Sequence, residues 1–213
     1  MPHESHRQDL GLLIFRVGLG ATLAVHGSQK LFGWFGGHGI EGTSGGMKAM
    51  GFLPPRVSAL MAGVGEAGGG ALLVLGLATP VAGAAAASTM LAAGSVHKPA
   101  GFFAMEGGYE YNLILGLGGA ALAVGGPGYY SLDRVFGDVL NRSWMAVAAL
   151  AVLGSASAAI VARRGRALES AAPTEVDSAE RGLAGRGDGR FSGCDGSLRL
   201  APAGNGSPAR SRP

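Results

Sequence analysis

Five apolar stretches constrain this chain more than any other feature: about Leu10 to Phe32, Val57 to Ala78, Pro80 to Val96, Tyr109 to Gly126, and Trp144 to Ala162. Each is about 17 to 23 residues long, enough at about 1.5 Å of helical rise per residue to cross a hydrocarbon layer of about 30 Å. Backbone groups in lipid have no water to bond, so spanning stretches that are not parts of closed barrels are helices. The expected fold is all-α. A transmembrane four-helix bundle occupies residues 10–143 and an additional transmembrane helix 144–162. A polar segment covers 1–9, and a basic, Gly/Ala/Arg-rich disordered tail covers 163–213.

Composition agrees with that reading, because only 15% of the residues are charged against 47% hydrophobic, and most of the charge lies between or beyond the apolar stretches. A soluble enzyme is excluded on this ground. The net charge of +3 does not indicate nucleic acid, since the arginines gather in "ARRGRALES" and the glycine-rich tail rather than on a face with interleaved aromatics. Cys194 is the single cysteine. The chain therefore has no internal disulfide, no CxxC redox pair and no thiolate metal cluster. The first apolar stretch is longer than the core of a signal peptide and reads as a retained anchor, with cleavage near Ala24 as the competing reading.

Small residues suggest how the helices meet. Gly65 and Gly69 are four apart, as are Gly116 and Ala120, and such spacing clears a groove for a neighbouring backbone. "LATP" reads as a tight turn with Pro80 opening the next helix. The stretch from Gly33 to Arg56 reads as a long loop lying partly in the membrane interface, given Trp34 and Phe35. With five spans, Lys30, Lys48, Arg56, Lys98, Arg163, Arg164 and Arg166 share one side and Arg7, Arg134 and Arg142 the other. The positive-inside rule then puts the C-terminus in the cytoplasm.

The same parity brings His26, Gln29, Lys30, His97, Glu106 and Glu110 toward one membrane face. Glu66 is deeper, about ten residues into its helix and so roughly 15 Å from that rim. A carboxylate there is protonated, paired, or open to a wet cavity. Arg16 is expected at comparable depth, either as the partner of Glu66 or snorkelling to the opposite interface. Glu66, His26, Glu110 and Arg16 are thus the candidate pocket, and Lys30, Gln29, His97 and Glu106 its rim. Gly65, Gly69 and Gly116 are assigned to helix packing. Each has a plainer reading: His26 and Lys30 as an interfacial anchor, Glu66 as a structural hydrogen-bonded acid, and His97, Lys98 and Pro99 as the end of a helix. The histidines and glutamates follow no recognised ligand spacing, so no metal site is expected. His38, in a glycine-rich loop, is expected to be solvated.

Several blocks in order, "HGSQKLFGWFGGHGIEGT", "MGFLPP", "GVGEAGGGALLVLGLATP", "VHKPAGFFAMEGGYEYNL" and "GPGYYSLD", resemble the DoxX family of bacterial membrane proteins over about residues 10–136. The resemblance implies a four-helix bundle in a bacterial inner membrane. The family is named for the small subunit type of an archaeal thiosulfate:quinone oxidoreductase, and its members are described as oxidoreductases or as membrane subunits of redox-protective complexes. By that resemblance the chain supports a membrane redox process through a quinone-type ligand, with a redox protein or a second copy of the chain as partner besides the lipid bilayer. No nucleotide fingerprint or haem-attachment motif supplies a carrier. Two alternatives stand beside it. One is a non-catalytic assembly subunit whose glycine grooves bind a partner's helix, and the other a small transporter or proton pathway gated by Glu66 and Arg16.

Overall fold

The structure, a computed structural model, describes residues 2–171, with side chains from His6 onward. Among the described residues all regular structure is helical: α1 (Pro2–Phe32), α2 (Gly39–Ala49), α3 (Pro55–Leu75), α4 (Thr79–His97), α5 (Glu110–Gly125), α6 (Leu132–Val135) and α7 (Ser143–Ala171). The disordered tail expected from the sequence falls mostly on residues 172–213, outside the described residues.

Three boundaries differ from the sequence reading. The connection from Gly33 to Arg56 is not simply a loop, because it contains α2, which tucks Met47 into a small cluster with Phe52 and Ala59. Its glycines hid the helix, since glycine is a poor helix former and only the packed side chains offset its backbone entropy. The polar N-terminal segment is continuous with α1, and α7 runs nine residues past Ala162.

Three helical stretches, His6–Phe32, Pro55–Leu75 and Ser143–Ala171, are long and apolar enough to cross a membrane, while α5 is apolar but shorter. The outer surface carries exposed Ile14, Val64, Leu117, Val124 and Val147, a spread of apolar side chains suited to lipid rather than water. In contrast, α4 is the inner helix, packed by α3, α5 and α7. Its buried residues are small, including Ala82, Gly83, Ala84 and Ala86, so three neighbours can approach it at once.

Close backbone approach sets the register. A Cβ added to Gly70 of α3 would lie 2.6 Å from the Ala24 nitrogen of α1, one at Gly20 2.6 Å from the Gly70 carbonyl oxygen, and one at Gly27 2.6 Å from the Ala67 Cα. Gly119 on α5 stands in the same relation to Gly83 on α4, with an added Cβ 2.8 Å from its carbonyl oxygen. Both pairs are antiparallel. Leu19, Leu23, Leu73, Leu115 and Leu122 fill the space where α1, α3, α4 and α5 meet. In lipid this packing is driven by dispersion and shape rather than by escape from water.

Arg16 locks the opposite end of the bundle from the histidine-bearing rim. Its Nη1 donates to the carbonyls of Leu73 at 2.9 Å and Val74 at 2.6 Å, and its Nη2 donates to that of Tyr130. The first two belong to the last turn of α3, where carbonyls lack helical partners and the dipole favours a cation. Asp133 completes this corner. Its carboxylate accepts from Ala78 N at 2.7 Å and Thr79 N at 3.0 Å, and its own N–H donates to the Gly76 carbonyl at 2.8 Å. One buried acid therefore caps α4 and pins the turn after α3.

Candidate functional site

The α1–α3 register corrects the expected depth of Glu66. Because Gly27 lies against Ala67, the neighbouring Glu66 is level with the His26–Gly27 turn, not with Arg16. The Arg16–Glu66 pair is therefore not formed. Lys30, one turn further along α1, reaches Glu66 Oε2 instead. The Glu66 side chain is 3% exposed and that of Lys30 28%, so the acid is inside and its partner stretches in from the rim.

This ion pair borders a half-open cavity of about 590 Å³, within the range of roughly 300–1,000 Å³ typical of small-molecule sites. Side chains from α1, α2, α3, α4, α5 and α7 line it. Its polar wall carries Lys30 and Glu66, and His26 with Tyr111, whose Nε2 and Oη are 3.1 Å apart. Much of the rest is soft and apolar: Met47, Met50, Met61 and Met90, with alanines from α4 and Leu153, Ala156 and Ile160 from α7. Methionine adapts its shape readily. Such a wall accepts an apolar body while the polar residues orient a head.

His97 also lines the cavity, and its Nδ1 is 2.8 Å from the Gly107 carbonyl. A carbonyl only accepts, so Nδ1 carries the proton and, in the neutral ring, Nε2 is left as an acceptor. The seam between α3 and α4 is narrow where an added Cβ at Gly65 would lie 2.7 Å from Thr89 Oγ1; Gly69 meets Ala85, and Gly116 meets Met90.

Of the residues singled out by sequence, Glu66, His26, Lys30 and His97 come together on the cavity. Four others do not line it. Arg16 belongs to the corner described above. Gln29 donates to the Phe35 carbonyl at 3.2 Å, Glu110 accepts from Ala104 N at 3.1 Å, and Glu106 is exposed. Glu110 and Tyr111, adjacent in sequence, differ in whether they reach the cavity. Adjacent helical residues point about 100° apart, so the first turn of α5 sends Glu110 to the loop and Tyr111 inward. The tyrosine and asparagine opening an apolar helix in "EYNL" were the signal that pointed to Tyr111 and Asn112.

The wall supplied by α7 is fastened separately. Ser157 Oγ donates to the Ser88 carbonyl at 2.6 Å. Arg164 donates through Nε to the Met50 carbonyl at 2.8 Å and through Nη1 to that of Ser95 at 3.3 Å, while its guanidinium lies 5.5 Å from the Phe52 ring centre. These contacts hold α7 against α4 and the connection after α2.

Comparison with curated proteins and with solved structures returns no match. A family model described as DoxX matches residues 11–98, the stretch that carries most of α1, all of α2, α3 and α4, and with them His26, Lys30, Glu66 and His97. The match covers less than half of the 213-residue chain; together with the long apolar helices it points to an integral membrane protein that resembles the DoxX family over that stretch.

Proposed function

We propose that the chain supports a membrane redox process by holding a quinone-type ligand, with the ring oxygens at the Lys30–Glu66 and His26–Tyr111 pairs and the apolar part along the methionine wall. The observation that carries this reading is the meeting of an interior acid–ammonium pair, a histidine–tyrosine pair and a soft apolar chamber in one cavity. The residues fit such a molecule: Lys30 and Tyr111 offer donors to a carbonyl oxygen, and Glu66 and His26 can take or return a proton. A bound quinone-type ring would supply electron-carrying chemistry that the side chains lack. The chain holds one cysteine and so no thiol pair. A partner redox protein therefore delivers the electrons in this reading.

Lys30 serves two roles. It partners the Glu66 carboxylate inside the bundle, and it can turn toward a bound carbonyl without leaving the acid. In the tautomer with Nε2 protonated, His26 donates to the Tyr111 oxygen and leaves the phenol proton for a ligand's carbonyl oxygen.

For topology we infer a bacterial inner-membrane protein with a cytoplasmic C-terminus. Support comes from Lys48, Arg56, Lys98 and Arg164 at the end where α2 sits, against Arg134 and Arg142 at the other. We likewise treat residues 10–143 as the bundle proper and α7 as an added span.

The test is purification of the full chain from its native membrane in mild detergent, with identification of co-purifying lipid-soluble molecules. A quinone retained by the wild type and lost in Glu66→Gln is the expected result. Absence of any isoprenoid ring compound from an intact bundle would sink the reading. A stoichiometric protein partner with nothing small bound would favour an assembly subunit.

A further inference from the structure

The cavity has a neighbour. A groove of about 740 Å³ lies between α5 and α7 over the outer side of α4, flanked by Leu91 and Leu117 and bounded at one end by Lys98 and Tyr109. Met90 and Asn112 line both spaces. This pair is the partition between the interior and the lipid-facing groove.

The partition is seated reciprocally. Met90 of α4 lies over Gly116 of α5, where an added Cβ would be 3.2 Å from the Met90 Cβ. Asn112 of α5 lies over Gly94 of α4, where the corresponding distance is 3.5 Å. Across it, Asn112 Nδ2 contacts Met90 Sδ at 3.7 Å. A thioether is a weak acceptor and methionine has three rotatable bonds, so moving this pair aside costs little.

We propose that the groove is the seat of the ligand's alkyl or isoprenoid tail, and that Met90 and Asn112 form a gate through which the ring passes sideways from the bilayer to the Lys30–Glu66 pair. This deepens the proposed function and rests on the ring site assigned there. The groove's flanks suit hydrocarbon, and its one cation lies at the end, where a headgroup rather than a tail would meet it. Continuity with the interior through a weakly held pair sets it apart from an ordinary lipid-facing crease. A ligand dissolved in the bilayer then never crosses water to reach the site.

The experiment uses the full chain in phospholipid nanodiscs and two probes. One is a methoxy-substituted benzoquinone without a side chain, and the other the same ring on a decyl chain ending in a photoreactive diazirine. Ala158 lines the groove and not the cavity. Ala158→Trp is expected to weaken the tailed probe about tenfold, chiefly through slower association and faster loss, while leaving the tail-less ring unchanged. Photolabelling is expected on Leu91, Leu117 or Val161. Met90→Ala should speed association of the tailed probe, and Val147→Trp, on the lipid-facing side of α7, should change nothing. The tail route is overturned if both probes bind but the tail labels residues 33–54 or 99–108, or if Ala158→Trp leaves the tailed probe unaffected. A partner's transmembrane helix cross-linked in the groove overturns it as well. If neither probe binds the wild type, the ring site itself fails and the route with it.

Discussion

Lys30 of α1 and Glu66 of α3 form an ion pair across the α1–α3 seam, with the carboxylate almost wholly buried and the ammonium partly open. Removing one member leaves the other without its charge partner, which costs more than removing both. Lys30→Met should therefore lower the stability of the detergent-solubilised protein by about 1–3 kcal/mol, and Glu66→Gln added to it should recover part of that loss. Thermal unfolding of the two single variants and the double variant measures the coupling. Strictly additive effects would show that the pair contributes nothing.

The α1–α3 register rests on glycine. Gly70→Ala would drive a methyl group into the α1 backbone at Ala24, and a loss of about 1–3 kcal/mol is expected. Gly18 on the same α1 has nothing within 4 Å of an added Cβ. Gly18→Ala should be neutral or better by up to about 1 kcal/mol, since alanine favours helix over glycine. Parallel melting curves decide between packing and propensity.

Arg16 and Asp133 are expected to behave as structural residues despite their buried charge. Arg16→Met removes one donor from each of three carbonyls, and Asp133→Asn weakens the cap on α4. Each should cost about 1–3 kcal/mol of stability. Neither should alter the affinity for a quinone-type ring at temperatures where the protein remains folded, whereas Glu66→Gln should. A binding isotherm for each variant in nanodiscs separates the two roles.

Arg164 couples α7 to the α2–α3 connection and to the end of α4. Arg164→Ala should raise amide hydrogen exchange around Met50 to Leu53 and in the last turn of α4, because two helix-end carbonyls lose their donor. Exchange in α5, which Arg164 does not touch, should stay as in the wild type. Equal acceleration throughout would indicate general destabilisation instead.

Part of the cavity's polar lining was legible in the sequence. Glu66, His26, Lys30 and His97 stand out because polar groups are rare in apolar helices and helix parity brings their ends together. Arg16 stood out as a cation within an apolar helix but not by its partner, since counting residues from an assumed rim puts Glu66 roughly 15 Å too deep. Tyr111 was passed over for Glu110, one position and about 100° away on the same helix. The helix within the glycine-rich connection was hidden because its stability comes from Met47 packing rather than from propensity.

Length and hydropathy alone determined that the chain is helical, membrane-embedded and polar toward one rim, because the bilayer demands long apolar segments with internally paired backbones. Which charges pair was decided only by the tertiary structure. Glycine contacts between helices set their axial register, and because Arg16 and Lys30 lie about 21 Å apart along α1, that register decides which of them meets Glu66. Those contacts depend on facing backbones far apart in the chain, and the order of residues along a single helix does not encode them.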